Sequence, residues 1–213
     1  MTRAVTFDSF GTLVSMEPPG PLLADALGVD VAAAEAAFRA EIAYYLEHHL
    51  EGRQPESLSD LRDRCALVLR EALGEPRLAL GEVRKAMHDS IRFSAFPDAA
   101  PVLRELRARG LRLVVCSNWD CSLPSVLADA GLLELVDGVV ASAVVGADKP
   151  ARPVFERALA LCGCAAADAV HVGDSPAADL EGARAAGMRA VLIDRSGSGG
   201  GDIASLAELP ALI

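Results

Sequence analysis

Asp8, Ser117, Lys149, Asp174 and Asp179 are the residues of this chain whose types could act together on one charged substrate. Asp8 stands in FDSFGTL, Ser117 in VVCSN, Lys149 in GADKP, and Asp174 and Asp179 in HVGDSPAAD. A carboxylate can attack an electrophile and carry the product covalently. Carboxylates in a group offer hard oxygen ligands to a cation such as Mg²⁺. A lysine can hold negative charge that builds on a reacting group. A phosphomonoester needs all three, because its anionic oxygens repel a nucleophile unless that charge is offset. Each residue alone is a poor signal, and the weight lies in their combination and order.

The elements that must position them are short and apolar. Ala4–Phe7, Leu111–Cys116, Ala169–Val172 and Arg189–Ile193 read as buried parallel strands, with Gly138–Ser142 a weaker fifth. Helical patterns alternate with them over Ala99–Arg109, Ser122–Ala130, Pro150–Leu161 and Ala177–Ala186. Alternation of strand and helix implies an α/β fold with a Rossmann-like, doubly wound parallel sheet. In such a sheet ligands bind beyond the carboxyl ends of the strands, which is where Asp8, Ser117 and Asp174 fall.

From Pro18 to Phe93 the alternation stops and the signals are helical. Ala32–Leu50 and Ser57–Leu73 repeat apolar residues at i, i+3, i+4, with Ser57 and Ser59 as candidate N-caps, and Leu80–Ile91 reads as a further helix. The expected organisation is a core of residues 1–17 and 95–213 interrupted by an α-helical cap, residues 18–94. Pro18–Pro21 and Phe96–Pro97 are the expected hinge points.

On these four motifs the chain resembles the haloacid dehalogenase superfamily of hydrolases, whose motifs run in this order around such a sheet. The resemblance extends to FPDAAPVLRELRARG and GARAAGM, and it places a helical cap where the insertion lies. It implies Asp8 as the nucleophile that forms an aspartyl-phosphate, with Ser117 and Lys149 as its catalytic companions. Gly11, Thr12 and Asn118 would bind substrate, backbone N–H groups near Gly11 and Asn118 donating to the phosphoryl oxygens. Mg²⁺ would be held by Asp8, the Phe10 backbone carbonyl and Asp174, with Asp179 supporting that shell.

One position departs from the family's phosphatase pattern, DxDGT. Phe10 stands where a second aspartate would protonate the leaving group and activate water. The metal-binding carbonyl survives that change and the acid/base group does not, a loss worth about 10²- to 10⁴-fold in rate. Slow turnover of alkyl phosphates is therefore expected of a Mg²⁺-dependent phosphatase. An aromatic there also resembles the DAYGTL of L-2-haloacid dehalogenases, in which Asp8 would displace halide from carbon. The acidic fourth motif argues against that, since Asp174 and Asp179 would repel a carboxylate substrate. A third alternative is a weakened member that binds a phosphorylated ligand without turning it over.

The bulk properties narrow the partners. The 213 residues are 52% hydrophobic and 23% charged, with 20 Lys and Arg against 30 Asp and Glu, a formal charge of -10. An acidic chain without a basic cluster lacks the footprint of a nucleic-acid binder, and no apolar run is long enough to cross a bilayer. A small anionic, phosphorylated substrate and a cytoplasmic location are expected. Cys65, Cys116, Cys121, Cys162 and Cys164 lack zinc spacing and read as incidental thiols. Trp119 and Asp120 read as packing and capping residues, His171 as a satisfied core histidine, His48 and His49 as solvated. Ser196–Gly201, SGSGGG, has no GK[ST] and reads as a surface turn.

Overall fold

The computed structural model describes residues 2–213, so Met1 of the expected core segment lies outside the described residues. The chain divides into two compact units: Ser94–Ile213 joined by the N-terminal segment through Ser15, and Met16–Phe93.

The first unit is built on a five-stranded parallel sheet. Its strands are β1 (Ala4–Phe7), β4 (Arg112–Ser117), β5 (Gly138–Ala141), β6 (Ala169–Gly173) and β7 (Arg189–Leu192), in the order β5-β4-β1-β6-β7. β1 lies at the centre with all four residues buried, which is why AVTF is an unbroken run rather than an alternating one. Register aligns the carboxyl ends of the strands: Phe7 pairs with Val115 of β4 and with Val172 of β6. Asp8, Ser117 and Asp174 consequently leave the sheet at the same edge. The strand order reverses on either side of β1, the place where open α/β sheets bind ligands.

Helices α5 (Ala99–Ala108), α6 (Leu123–Asp129), α7 (Ser142–Val145), α8 (Arg152–Cys162) and α9 (Gly182–Ala185) complete this unit. α5 buries Ala99, Val102, Leu103 and Leu106, a helical stripe. α8 buries Val154, Phe155, Ala158 and Cys162 in one cluster with Val114, Cys116 and Val140. The helix expected over Ala177–Ala186 is instead a wide π-type turn, Pro176–Glu181, running into α9. Leu180 donates its N–H five residues back to Ser175 O at 3.2 Å, a widening that recurs at functional sites. β5 stops at Ala141, because Ser142 begins α7 with its hydroxyl bonded to the Trp119 main chain.

The second unit contains α1 (Pro19–Leu27), α2 (Val31–His48), α3 (Pro55–Leu73) and α4 (Leu80–Ser90). α1 covers the segment expected to be a hinge: Pro19 opens the helix, where its missing N–H costs nothing. Asp30 caps α2, accepting from Ala32 N at 2.9 Å and Ala33 N at 3.2 Å. α3 starts before the serines expected to cap it. Gln54 is its N-cap residue, Ser57 bonds back to the Gln54 main chain at 3.2 and 3.3 Å, and Ser59 lies inside the helix. Leu58, Leu61, Cys65 and Leu69 form its buried stripe. Two three-residue strands, β2 (Val14–Met16) and β3 (Phe93–Ala95), pair where the chain leaves the first unit and returns. They are too short for any periodicity to reveal.

Candidate active site

Asp8 comes directly after β1, and its N–H is donated to Val172 O at 2.8 Å. Its Oδ1 accepts two hydrogen bonds, from Ser117 Oγ at 2.9 Å and from Lys149 Nζ at 2.6 Å. Lys149 Nζ also donates to Asp179 Oδ1 at 2.5 Å. Asp8, Lys149 and Asp179 are each no more than 6% exposed. Burial alone would lower the lysine's pKa, but the carboxylates of Asp8 and Asp179 outweigh it and raise the value. Lys149 is thus a fixed cation joining two carboxylates.

Its main chain is gripped as firmly. Lys149 N donates to Asn118 Oδ1 at 2.7 Å, and Asn118 Nδ2 donates to Lys149 O at 3.0 Å. The Asn118 side chain thus holds Lys149, while the expectation of substrate contact concerned the backbone N–H groups near it. Gly182 serves the same segment from behind: a Cβ there would stand 2.8 Å from Phe155 and 2.9 Å from Pro150 Cα.

Asp179 is saturated. Besides Lys149, His171 Nε2 meets its Oδ1 at 2.9 Å, and Ser175 N donates to Oδ2 at 3.0 Å. Burial would raise its pKa, yet His171 and Lys149 pull it well below the usual carboxylate range. The wide turn after Ser175 is what brings this side chain back to the sheet edge. Gly173 gives it room, since a Cβ there would lie 2.1 Å from Asp179 Cγ.

Asp174 differs from both. It is exposed as a residue, but its carboxyl group lies over Gly11. Desolvation, then the charges of Asp8 and Asp179, push it up to about 6. Oxygens of Asp8, Asp174 and Asp179 all lie within 4.8 Å of one another. Three carboxylates face one ammonium, which leaves two negative charges in a small space. That is the charge and the donor chemistry that suit a hard divalent cation.

The loop after Asp8 holds Gly11 and Thr12, both expected near substrate. The Gly11 N–H is donated to Val14 O at 2.9 Å. Thr12 is fully buried, its hydroxyl without a hydrogen-bond partner among the described residues. Phe10, between Asp8 and Gly11, carries no carboxyl group and is 47% exposed.

Further residues at the site escaped the sequence. Arg195 Nη2 donates to Thr12 O at 2.6 Å, and the same guanidinium pairs with Asp98 at 3.0 and 3.1 Å while lying 3.7 Å over the Phe96 ring. Asp98 is itself fixed by Ser205 Oγ at 2.7 Å and Leu206 N at 2.8 Å. Arg195 comes just after a strand, which was the available signal. Trp119 is buried and Asp120 caps Ser122 N at 2.7 Å, as expected. His49 is not solvated but 6% exposed, bonded to Leu46 O. The SGSGGG turn wraps a carboxylate: Ser196, Ser198 and Gly200 donate to Asp194, which fills the space an anion would need.

Comparison with known proteins places this geometry. A family model described as haloacid dehalogenase-like hydrolase matches residues 2–187. A phosphoserine phosphatase of Thermus thermophilus is 38% identical over 129 residues, 60% of this chain and 52% of its own length. The chain thus spans about half the length of that curated relative. A HAD phosphatase structure from Thermococcus onnurineus superposes with a TM-score of 0.66 at 27% identity, covering 99% of this chain and 97% of that one. A 2-haloacid dehalogenase from Pseudomonas syringae pv. Tomato gives 0.68 at 26% identity, covering 100% and 98%. Five parallel strands in this order, with Asp8, Ser117, Lys149 and Asp174 at one edge and a family match over most of the length, place the chain in the haloacid dehalogenase-like hydrolase family.

Proposed function

We propose that the protein is a Mg²⁺-dependent phosphatase that acts on a small phosphorylated metabolite through an aspartyl-phosphate on Asp8. The observation that carries this reading is the Asp8–Lys149–Asp179 chain with Asp174 beside it, two negative charges short of neutrality. Asp8, Asp174 and the Phe10 main-chain carbonyl would hold the ion, and Asp179, already saturated, would support them from behind. When bound, Mg²⁺ would neutralise charge on the phosphoryl oxygens. The name of the Thermus relative supports phosphoryl chemistry on a small metabolite.

Each residue then has a task. Ser117 and Lys149 fix one oxygen of Asp8, so the carboxylate is oriented before substrate arrives. Asp8 attacks phosphorus in line, and the bond to the leaving oxygen breaks with its electron pair on that oxygen. Lys149 offsets the charge carried by Asp8 and the phosphoryl group. Water then attacks phosphorus, releasing inorganic phosphate and restoring the carboxylate. Phe10 has no proton to give to the leaving oxygen. Acyl and aryl phosphates, whose leaving groups are stable as anions, are the substrates this site suits, with alkyl phosphates slower by about 10²- to 10⁴-fold. We assign substrate choice to the helical cap expected over residues 18–94, which falls within the compact unit Met16–Phe93 and lies in sequence between the first two strands of the five-stranded sheet, β1 and β4. Five free cysteines support a reducing compartment, the cytoplasm.

Phe10, together with the likeness to a 2-haloacid dehalogenase structure, favours a second reading, halide displacement from a 2-haloacid. The two uncompensated charges count against it, because they would repel the substrate's own carboxylate. Turnover of acetyl phosphate and para-nitrophenyl phosphate, with Mg²⁺ and after chelation, decides between them. Metal-dependent turnover of either supports the phosphatase. Failure of both, with chloride released from 2-chloropropionate, supports the dehalogenase.

A further inference from the structure

Beneath the catalytic edge runs a polar line through an otherwise apolar layer. Thr6 of β1 and His171 of β6 are register partners on adjacent strands, and both are fully buried. Thr6 Oγ1 meets His171 Nδ1 at 2.8 Å, and His171 Nε2 meets Asp179 Oδ1 at 2.9 Å. Phe155 packs edge-on against the imidazole, its centroid 5.2 Å away. The face around them is Ala4, Val114, Cys116, Val154, Phe155 and Ala169. An apolar pair in place of Thr6 and His171 would satisfy the core without any hydrogen bond to arrange.

The donors and acceptors along this line can be assigned one by one. Asp179 Oδ1 already accepts from the Lys149 ammonium, and an ionised carboxylate only accepts. Nε2 must therefore carry a proton and donate it. Complete burial favours the neutral ring, so Nδ1 is bare and accepts from the Thr6 hydroxyl. Asp179 thus selects the tautomer, and the Thr6 hydroxyl satisfies the bare Nδ1. We propose that His171 is a positioning residue of the reaction: it holds the Asp179 carboxylate in the place from which that carboxylate aligns Lys149 against Asp8. His171 touches neither substrate nor Asp8 in this scheme and acts through Asp179. The inference rests on the phosphatase reading for its kinetic consequence and not for its structural one.

Two measurements test it. In ¹⁵N-histidine-labelled protein, with the His171→Gln spectrum identifying the His171 ring, His171 should show the neutral Nε2–H tautomer. Thr6→Val should shift the Nδ1 resonance by removing its hydrogen-bond donor, with Nε2 still protonated, and Thr6→Ser should preserve it. An imidazolium or an Nδ1–H tautomer in the wild type overturns the proposal. In Mg²⁺-supported turnover of para-nitrophenyl phosphate, His171→Leu should lower kcat by about 10- to 100-fold with little change in KM. His171→Gln, whose amide can donate from the same place, should recover most of that loss. A folded Gln variant as slow as the Leu variant also overturns it. If the wild type has no metal-dependent turnover the phosphatase reading fails, and the ring spectrum alone then decides the positioning claim.

Discussion

The carboxylate of Asp174 occupies the space in which a side chain on Gly11 would begin: a Cβ there would lie 2.1 Å from Oδ2. Gly11 also has φ +78°, a conformation that side chains resist. Gly11→Ala therefore meets two penalties at once. It should cost about 1–3 kcal/mol of stability and displace the Asp174 carboxylate. Thermal unfolding and Mg²⁺ titration of the folded variant check this, the expected result being weaker metal binding in a protein that still folds.

The raised pKa of Asp174 gives a pH dependence with a definite sign. Between the usual carboxylate value of 3.8 and about 6, the metal-free folded state binds a proton that the unfolded chain does not. Stability of the metal-free protein should thus fall as pH rises through that window. Mg²⁺ competes with the same proton, so its affinity should drop as pH falls below about 6. Unfolding temperatures at pH 4.5, 6 and 7.5, with and without Mg²⁺, read both effects. A stabilisation by Mg²⁺ as large at pH 4.5 as at pH 7.5 would count against the assignment of Asp174 as a ligand.

Asn118 makes a different forecast. Its amide holds both main-chain groups of Lys149, so Asn118→Ala leaves a donor and an acceptor without partners. A loss of about 1–3 kcal/mol is expected, together with a fall in kcat from a misplaced ammonium. If Asn118 served substrate rather than Lys149, KM would rise and stability would stay as it was.

Arg195 and Asp98 should behave as a unit. The pair is 17% and 16% exposed at its side chains, and the guanidinium also ties down Thr12 O. Removing either partner leaves the other half-buried without its counter-charge. In a double-mutant cycle, Arg195→Met and Asp98→Asn should couple by about 0.5–3 kcal/mol. The nucleophile loop should loosen in both single variants, read as faster amide exchange at Gly11 and Thr12.

How far the sequence could carry these conclusions is visible residue by residue. The β1 and β6 runs are legible because both faces of each strand are buried, which leaves short unbroken apolar runs bounded by polar or glycine residues. Asp8, Ser117, Lys149 and Asp174 are legible because strand ends in a parallel sheet must converge. The features hidden from sequence depend on contacts distant in the chain. Thr6 and His171 lie 165 residues apart and meet only through register, so each alone looks like ordinary core. Arg195 and Asp98 are 97 apart, with nothing local to announce the pair. For Gly11 and Thr12 the motif is legible, while the turn that takes the N–H of one and buries the other is not. The wide turn at Pro176–Glu181 reads as plain helix because helical periodicity cannot register one extra residue in a turn.

The central claim is that Asp8 becomes phosphorylated. Brief reaction with radiolabelled acetyl phosphate and Mg²⁺, an acid quench, borohydride reduction and peptide mass spectrometry would locate the acyl-phosphate. The account predicts label in the wild type, reduction to homoserine at position 8, and no label in Asp8→Asn. A labelled Asp8→Asn variant, a modification at another residue, or an unlabelled wild type that still hydrolyses the substrate would contradict it.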